Sequence, residues 1–404
     1  MLGKKRAMTM SLSGIVLGIA FFVITQAQTS GFESFFIKTI LGTNGAIRIS
    51  DRFQDMHGTV RSTSKDGKKT FSFNSKEGTR YTEGIENPKL LRDALDQFTE
   101  ISGISETLEG NAILNGISRT QPVQLHGIVP ANHIMVSDLE NQIIQGQLSS
   151  FELDSMSILI GNRIGQRLML EIGDRVNIEG GTENLQLRIA GFFETGVSQI
   201  DKNRAYIHLS TAKAFFGKRL SGSTFQLSMF DPPKAPEIAA QIQETIGHRT
   251  ISWQEREQVW LDVFKALRVS SAITVSSILL LSGLGIFNVF AIMVIEKTRD
   301  IAILRSIGFT PRDVTAVFLW QGGIVLLAGI LIGIGVGFIT TYGISKIPLR
   351  IRGIFSTDSF VVNWEISHYY WAITIAILFV GVASWIPARR AAKIEPAKII
   401  RESL

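Results

Sequence analysis

Four transmembrane helices, with a large soluble α+β domain inserted between the first and the second, are the fold class that this sequence predicts. Three observations predict it. Of 404 residues, 45% are hydrophobic and the mean hydropathy is +0.21, and the apolar excess is concentrated in four runs rather than spread evenly. Between the first and second runs lies a long stretch of ordinary soluble composition, in which strand-like and helix-like patterns are interspersed. Basic residues, finally, collect at recurring places: Lys4, Lys5 and Arg6 before the first run, Lys297, Arg299, Arg305 and Arg312 in a central loop, and Arg389, Arg390, Lys393, Lys398 and Arg401 after the last. The short loop on the opposite side offers Lys346, Arg350 and Arg352. That is the positive-inside pattern, which predicts cytoplasmic termini and a cytoplasmic central loop. The net charge of +6 and pI near 9.5 therefore follow from topology and do not point to nucleic acid. The absence of cysteine excludes disulfides, thiolate metal sites and a cysteine nucleophile.

Residues 1–6 form the cytoplasmic N-terminus. Residues 7–32 carry no charge and are long enough to cross ~30 Å of hydrocarbon. The apolar pattern continues through Phe32, Phe35, Phe36 and Ile40, so the helix is expected to extend outward. The same segment also reads as a secretory signal, with a basic start, an apolar core at Gly14–Ile24 and a cut after Ala27. Gly14 and Gly18 would allow close helix contact.

Residues 33–251 are expected to form the extracytoplasmic α+β domain. Strands are predicted at Ala46–Ile49, Val60–Phe73 (turning at Lys65-Asp66-Gly67-Lys68), Ile104–Asn115, Gln121–Val129, Ile158–Ile160 and Thr224–Met229. A hairpin of Arg175–Ile178 and Leu185–Phe193 is joined through Gly180-Gly181. Helices are predicted from Asn87-Pro88, over Gly161–Leu170, from Ser210 to Phe216, and over Ala235–Ile246.

Residues 252–295 combine an amphipathic rod helix with the second span. Trp253, Val259, Trp260, Val263, Phe264 and Leu267 alternate with Glu255, Arg256, Glu257, Asp262 and Lys265, and no breaker precedes the span. The two tryptophans suit either an interfacial belt or a contact with the soluble domain.

Residues 296–313, EKTRDIAILRSIGFTPRD, supply the only charges between two long apolar runs. Ile301, Leu304 and Ile307 recur at three-residue steps with Asp300 and Arg305 between them, as in a short amphipathic helix. Gly308 and Pro311 close it. Such a helix can press on a soluble partner, or it can be a solvated hairpin that reverses the chain. The third span, 314–345, exceeds one crossing and must tilt or protrude. Its Gly329, Gly333 and Gly337 share one face suited to packing on a neighbouring span. A short periplasmic loop, 346–365, leads to the fourth span, 366–388, with Tyr369, Tyr370 and Trp371 at one boundary and Trp385 at the other. Residues 389–404 form the cytoplasmic tail.

Catalytic motifs are missing. The chain has no G-x-x-x-x-G-K-[ST], no H-E-x-x-H and no G-x-S-x-G. His126 and His133 are the nearest approach to a ligand pair. The spans carry no interior charge for a proton or ion relay. A non-catalytic membrane subunit is the expectation.

The 296–313 segment resembles the cytoplasmic coupling helix of the FtsX/MacB/Lol superfamily of ABC-transporter permeases, E-K-x-x-[DE]-I-[AG]-[IV]-L-[RK]-x-[IL]-G-x-[ST]-x-x-[DQ]. Glu296, Lys297, Asp300, Ile301, Ala302, Ile303, Leu304, Arg305, Ile307, Gly308, Thr310 and Asp313 match that run. Pro387-Ala388-Arg389-Arg390-Ala391-Ala392 with Glu395-Pro396-Ala397 is similar to the superfamily's C-terminal signature. Trp253-Gln254-Glu255-Arg256 leading into Phe264-Lys265-Ala266-Leu267, and Gly161 with Gly173-Asp174-Arg175, look most like the lipoprotein-releasing (LolC/LolE) permeases.

The resemblance implies a MacB-like periplasmic core domain in a multi-pass protein of the bacterial inner membrane. It implies no cofactor bound by this chain, because ATP and Mg would sit on a partner ABC ATPase subunit dimer. The other implied partners are a second permease copy or paralogue, a lipoprotein or other lipidic cargo, and a periplasmic carrier. ATPase coupling would fall to Glu296, Lys297, Arg299, Asp300, Ile301, Leu304, Arg305 and Gly308. Lipid would enter a cavity between the first and second spans of the two permeases, for which Leu17, Phe21, Val275 and Leu279 are the candidate residues. Two other functions suit the superfamily: a macrolide-exporter-like efflux permease working with a periplasmic adaptor, and an FtsX-like signal transducer controlling a cell-wall hydrolase. The carrier-binding members have an extended hairpin where this chain has only Glu179–Asn184.

Overall fold

The computed structural model describes residues 2–52, 59–65, 68–74, 85, 88–116, 119–217, 223–347, 350–351, 355–356 and 360–392. Asp66-Gly67, Asn87, Arg352, Lys393, Lys398, Arg401 and the Glu395-Pro396-Ala397 signature lie outside them. The chain divides into two compact units, one of Met1–Phe35, Val259–Leu349 and Thr357–Leu404, the other of Phe36–Gln258 with Arg350–Ser356.

Among the described residues the first unit is built from four long helices: Leu2–Asn44 (as far as Phe35, beyond which it belongs to the second unit), Gln258–Glu296, Pro311–Ser345 and Ile366–Ala392. Each is long and apolar enough to cross a membrane. Their shared core takes Ile15, Ile19, Phe22 and Val23 from the first, Val275, Leu279, Ile286 and Phe290 from the second, Val325 from the third, and Ala372, Ala376 and Val380 from the fourth. Glycines decide which helices meet. A Cβ on Gly329 would lie 2.7 Å from Ile15 Cγ2, one on Gly333 2.9 Å from Ile19 Cβ, and one on Gly337 3.2 Å from Ala20 Cα. The third helix is thus held against the first by its glycine stripe. Gly14 and Gly18 do the same on the other side, with Cβ positions 2.6 Å from Ser282 Oγ and 2.5 Å from Leu279 Cδ2. Close backbone approach trades side-chain volume for dispersion contact, the main attraction between helices in lipid.

Polar ties fasten the stretch 26–34 of the first helix. Gln26 Nε2 donates to Ser271 Oγ at 3.1 Å, Arg268 pairs with Glu33, and Ser30 Oγ lies 2.9 Å from His368 Nε2. The Asn363 N–H donates to the Ala27 carbonyl at 3.0 Å, and Val361 O sits where a Cβ on Gly31 would be. Ala27, after which the competing signal-peptide reading places its cut, is a buried mid-helix residue.

Between Phe36 and Gln258 the described residues of the second unit form twelve strands: β1 Ile47–Arg52, β2 Thr59–Lys65, β3 Lys68–Asn74, β4 Ile101–Asn115, β5 Thr120–Ile128, β6 Ile143–Gly146, β7 Ser157–Gly161, β8 Arg175–Glu179, β9 Leu185–Phe193, β10 Arg204–His208, β11 Ser223–Met229 and β12 His248–Ser252. β2 and β3 pair only with each other; the rest follow the order β12-β1-β11-β4-β5-β10-β7-β9-β6. β8 pairs with both β4 and β9, which closes β4, β5, β10, β7, β9 and β8 into a ring. Leu108, Leu125, Ile158, Ile160, Val176, Ile178, Ile189, Ala205 and Ile207 fill a single core among these strands, removing most of the exposed edge.

The outward extension of the first helix is present, through Asn44, and the first strand follows at Ile47. Two details depart from the sequence expectation. The rod of 252–295 is not continuous: Ser252 caps a short helix, Trp253–Arg256, and Glu257 (φ −103°, ψ 17°) separates it from Gln258–Glu296. The reason is that Trp253 and Arg256 are held by the soluble unit. Trp253 Nε1 donates to Pro232 O at 2.9 Å, and Arg256 Nη2 to Gly45 O at 3.2 Å. Trp253 is therefore a domain contact. Lastly, Pro311 opens a helix instead of merely closing one. Thr310 and Asp313 form a reciprocal cap, with the Thr310 N–H donating to Asp313 Oδ2 at 2.8 Å, and proline fits the first helical position because its missing N–H has no partner there.

Candidate coupling site and apolar surfaces

Thr298–Ser306 forms a helix between the second and third long helices. It ends where Gly308 adopts φ +112°, a conformation that costs glycine little, and the Phe309 N–H returns to Leu304 O at 3.2 Å. At the opposite end Lys297 Nζ donates to Asp300 Oδ2 at 2.6 Å. Each holds the other in its charged form: hydrogen bonding to Asp300 raises the Lys297 pKa, and hydrogen bonding to Lys297 lowers that of Asp300. Both are exposed, so the pair adds little stability. It orders the helix start.

The expected apolar face is split. Ile301 is buried with Val294, Val314, Phe318 and Ala388, and Ala302 is buried beside it in sequence. Leu304 and Ile307 instead face outward, 41% and 73% exposed, together with Ile303 and Phe309. Ile301 anchors the helix to the bundle, and the exposed set forms an apolar patch beside Lys297, Arg299 and Asp300, which are also exposed. Arg305 is half-buried. Apolar centre with charged rim is the composition of a docking surface for a protein. Phe309 was not named from the sequence, and Ile303 only as a match to the superfamily's run, not as a coupling residue. Exposure is what identifies them, and periodicity alone does not report it.

Within one chain the four candidate cavity residues fall into two sets. Leu17 (62% exposed) and Phe21 (46%) point outward, whereas Val275 and Leu279 are completely buried. Leu279 fills the space that Gly18 leaves open, so the first and second helices of one chain are in contact there.

His126 and His133 are buried in the soluble unit, their rings 5.7 and 5.5 Å from that of Tyr206. Ser105 Oγ lies 3.1 Å from His133 Nδ1. Burial, and then the Arg204 charge, lower both pKa values, that of His133 to about 3. The unfolded chain therefore binds protons that the folded one refuses. Stability is full above pH ~6.5 and falls as pH drops from there toward 3. Thermal unfolding of the protein at pH 7.5 and pH 5 should show a lower midpoint for the soluble unit at pH 5, and His133→Gln should reduce that difference. Equal midpoints would contradict the neutral buried pair.

Comparison with known proteins follows the same division. Residues 8–245 match the MacB-like periplasmic core domain family, and residues 272–396 match the family described as FtsX-like permease C-terminal. A lipoprotein-releasing system transmembrane protein LolC of Xylella fastidiosa is 25% identical over 416 residues, covering 97% of this chain and 92% of its own. An uncharacterized ABC transporter permease, YknZ of Bacillus subtilis, is 23% identical over 99% of this chain and 96% of its own. A lipoprotein-releasing system transmembrane protein LolE of Haemophilus influenzae is 22% identical over 96% and 93%.

Proposed function

The chain belongs to the ABC-transporter permeases that join a MacB-like periplasmic core domain to an FtsX-like C-terminal region, and on that premise we propose that it is the membrane subunit of a lipoprotein-releasing transporter in the bacterial inner membrane. Members of this family work with an ATPase subunit. Here that subunit would bind the exposed patch of Ile303, Leu304, Ile307 and Phe309, with Lys297, Arg299 and Asp300 at the rim. Both termini and this patch would be cytoplasmic, and the domain periplasmic. ATP and Mg would be held by the ATPase dimer. A second copy or paralogue of this chain would complete the membrane part.

Burying an acyl chain is worth about 0.8 kcal/mol per methylene, so exposing three chains at once costs on the order of 30 kcal/mol. The lipid must therefore pass between apolar surfaces without entering water. Leu17 and Phe21 on the first helix present such a surface outward, and would meet the cargo at the boundary with the second permease copy. The observation that most supports the reading is the match to lipoprotein-releasing permeases over 97% and 96% of this chain.

A second reading has its own observation. The β8–β9 connection is folded back, with the Thr182 N–H donating to Phe215 O at 2.8 Å; Phe215 O would lie 2.4 Å from a Cβ on Gly181. No long hairpin extends there to capture a carrier, which favours an efflux permease that hands cargo to an adaptor. Reconstitution decides between them. The protein and its ATPase subunit, in vesicles loaded with a fluorescent triacylated lipoprotein, should release it only with ATP. Hydrolysis without release, and co-purification of an adaptor, would replace this function with efflux; co-purification of a cell-wall hydrolase would replace it with signalling.

A further inference from the structure

The first long helix ends without a basic residue in its last turn, although a helix C-terminus carries roughly half a negative charge that favours cations. Two arginines from distant parts of the chain supply them. From β10, Arg204 Nη1 donates to Asn44 Oδ1 at 2.8 Å and to the Tyr206 hydroxyl at 3.3 Å. From the short helix Trp253–Arg256, Arg256 Nη2 donates to Gly45 O at 3.2 Å. Arg204 is nearly buried, 9% exposed. Its hydrogen bonds among the described residues go to neutral groups, so the helix end is the natural counterpart of its charge. Arg256 is also paired with Glu257 at 3.2 Å.

Other contacts close around the same turn. Gly45 takes φ +67°, and its N–H returns to Leu41 O at 3.0 Å, a left-handed helix cap. The Asp138 N–H donates to Gly42 O at 2.7 Å, and the Trp253 N–H to Ala46 O at 2.8 Å. Ile47 pairs with Ser252 across β1 and β12. The end of the first helix and the approach to the second are thus held within a few residues of each other on one polar node. The two exits are not alike. The first helix is unbroken from Leu2 to Asn44, whereas Glu257 interrupts the other path.

We infer that Arg204 and Arg256 are positioning residues that clamp the C-terminal turn of the first helix to the soluble unit, making that helix the stiff link through which the domain is moved and leaving Glu257 as the joint of the other link. The inference rests on the proposal above that ATP hydrolysis moves the domain. Removing a charge-assisted hydrogen bond of this kind costs about 1.5–3 kcal/mol, so local opening of the turn should rise about tenfold or more.

The test uses the full chain with its ATPase subunit in vesicles, as wild type, as the Arg204→Gln/Arg256→Gln double variant, and as Arg204→Lys. Hydrogen exchange at Gly45 and Ala46 is followed beside ATP hydrolysis and lipoprotein release. The double variant should exchange there about tenfold faster, with unchanged exchange in β4 and β5. It should hydrolyse ATP within twofold of wild type and release several-fold less cargo per ATP. Arg204→Lys keeps the charge and should recover most of the coupling. Unchanged exchange at Gly45, or normal release per ATP in the double variant, overturns the inference. If β4 and β5 also exchange faster, Arg204→Lys decides alone, since wild-type exchange and coupling in it support the clamp and a loss equal to the double variant's refutes it. Should the wild type release no lipoprotein, the function proposed above fails. The clamp is then judged by whether ATP alters exchange at Gly45 and Ala46 in the wild type and no longer does so in the double variant.

Discussion

Leu304→Asp should leave the thermal midpoint of the permease unchanged and abolish its association with the ATPase subunit. The side chain is exposed and belongs to the outward patch with Ile303, Ile307 and Phe309, so nothing inside the bundle loses a contact. An aspartate at the centre of an apolar interface has to be desolvated without a partner. An interface hot spot is worth about 2 kcal/mol or more, which weakens binding at least ~30-fold. Ile301→Asp, three residues away on the same helix, should behave in the opposite way. Ile301 is buried with Val294, Val314, Phe318 and Ala388, and a carboxylate there is a buried unpaired charge, so the bundle itself should fail to form. Asp300→Lys breaks the pair with Lys297 and should lower ATPase binding with little structural cost. Pull-down of the ATPase subunit, together with a melting curve in detergent for each variant, measures all three. An association-competent Leu304→Asp would remove this helix as the docking site.

Gly333→Leu should prevent the first and third helices from packing, whereas Gly335→Leu, two residues on, should be tolerated. A Cβ at Gly333 already meets Ile19 Cβ at 2.9 Å and Val16 O at 3.1 Å, while at Gly335 nothing lies within 4 Å. One obstacle is a β-branched side chain and the other is backbone, so neither can swing aside. Overpacking costs ~1–3 kcal/mol where the surroundings can adjust, and more is expected here because the whole leucine side chain must be housed. The outward-facing site should change stability by no more than ~0.5 kcal/mol. Resistance to unfolding in detergent compares the two, and equal destabilisation would mean that the third helix does not lie on the first through this stripe.

Much of the membrane part was legible because the signals are local. An uncharged run long enough to cross a bilayer, a glycine every fourth residue and a charged interval between two apolar runs each lie within one window of sequence. The domain was legible strand by strand where alternation was strong, as in β4, β5 and β9. It was missed at β6, β10 and β12, which are short. β10 is the most consequential of these, because it carries Arg204 and Tyr206 and joins β5 to β7.

The sequence by itself determined the four spans, the α+β insert, the position of the short helix between the second and third spans and the existence of faces that pack closely, because length, hydropathy and periodicity act on neighbouring residues. Tertiary structure decided what each face meets: that Ile301 turns inward while Leu304 turns out, that the glycine stripe takes the first helix as its partner, that Leu279 packs against Gly18, and that Arg204 reaches Asn44 across 160 positions of chain. A periodic pattern states which residues share a side. Only closure of the chain over long separations determines what lies opposite that side, and here it set the exposed patch around Leu304, the contact of Leu279 with Gly18 and the reach of Arg204 to Asn44.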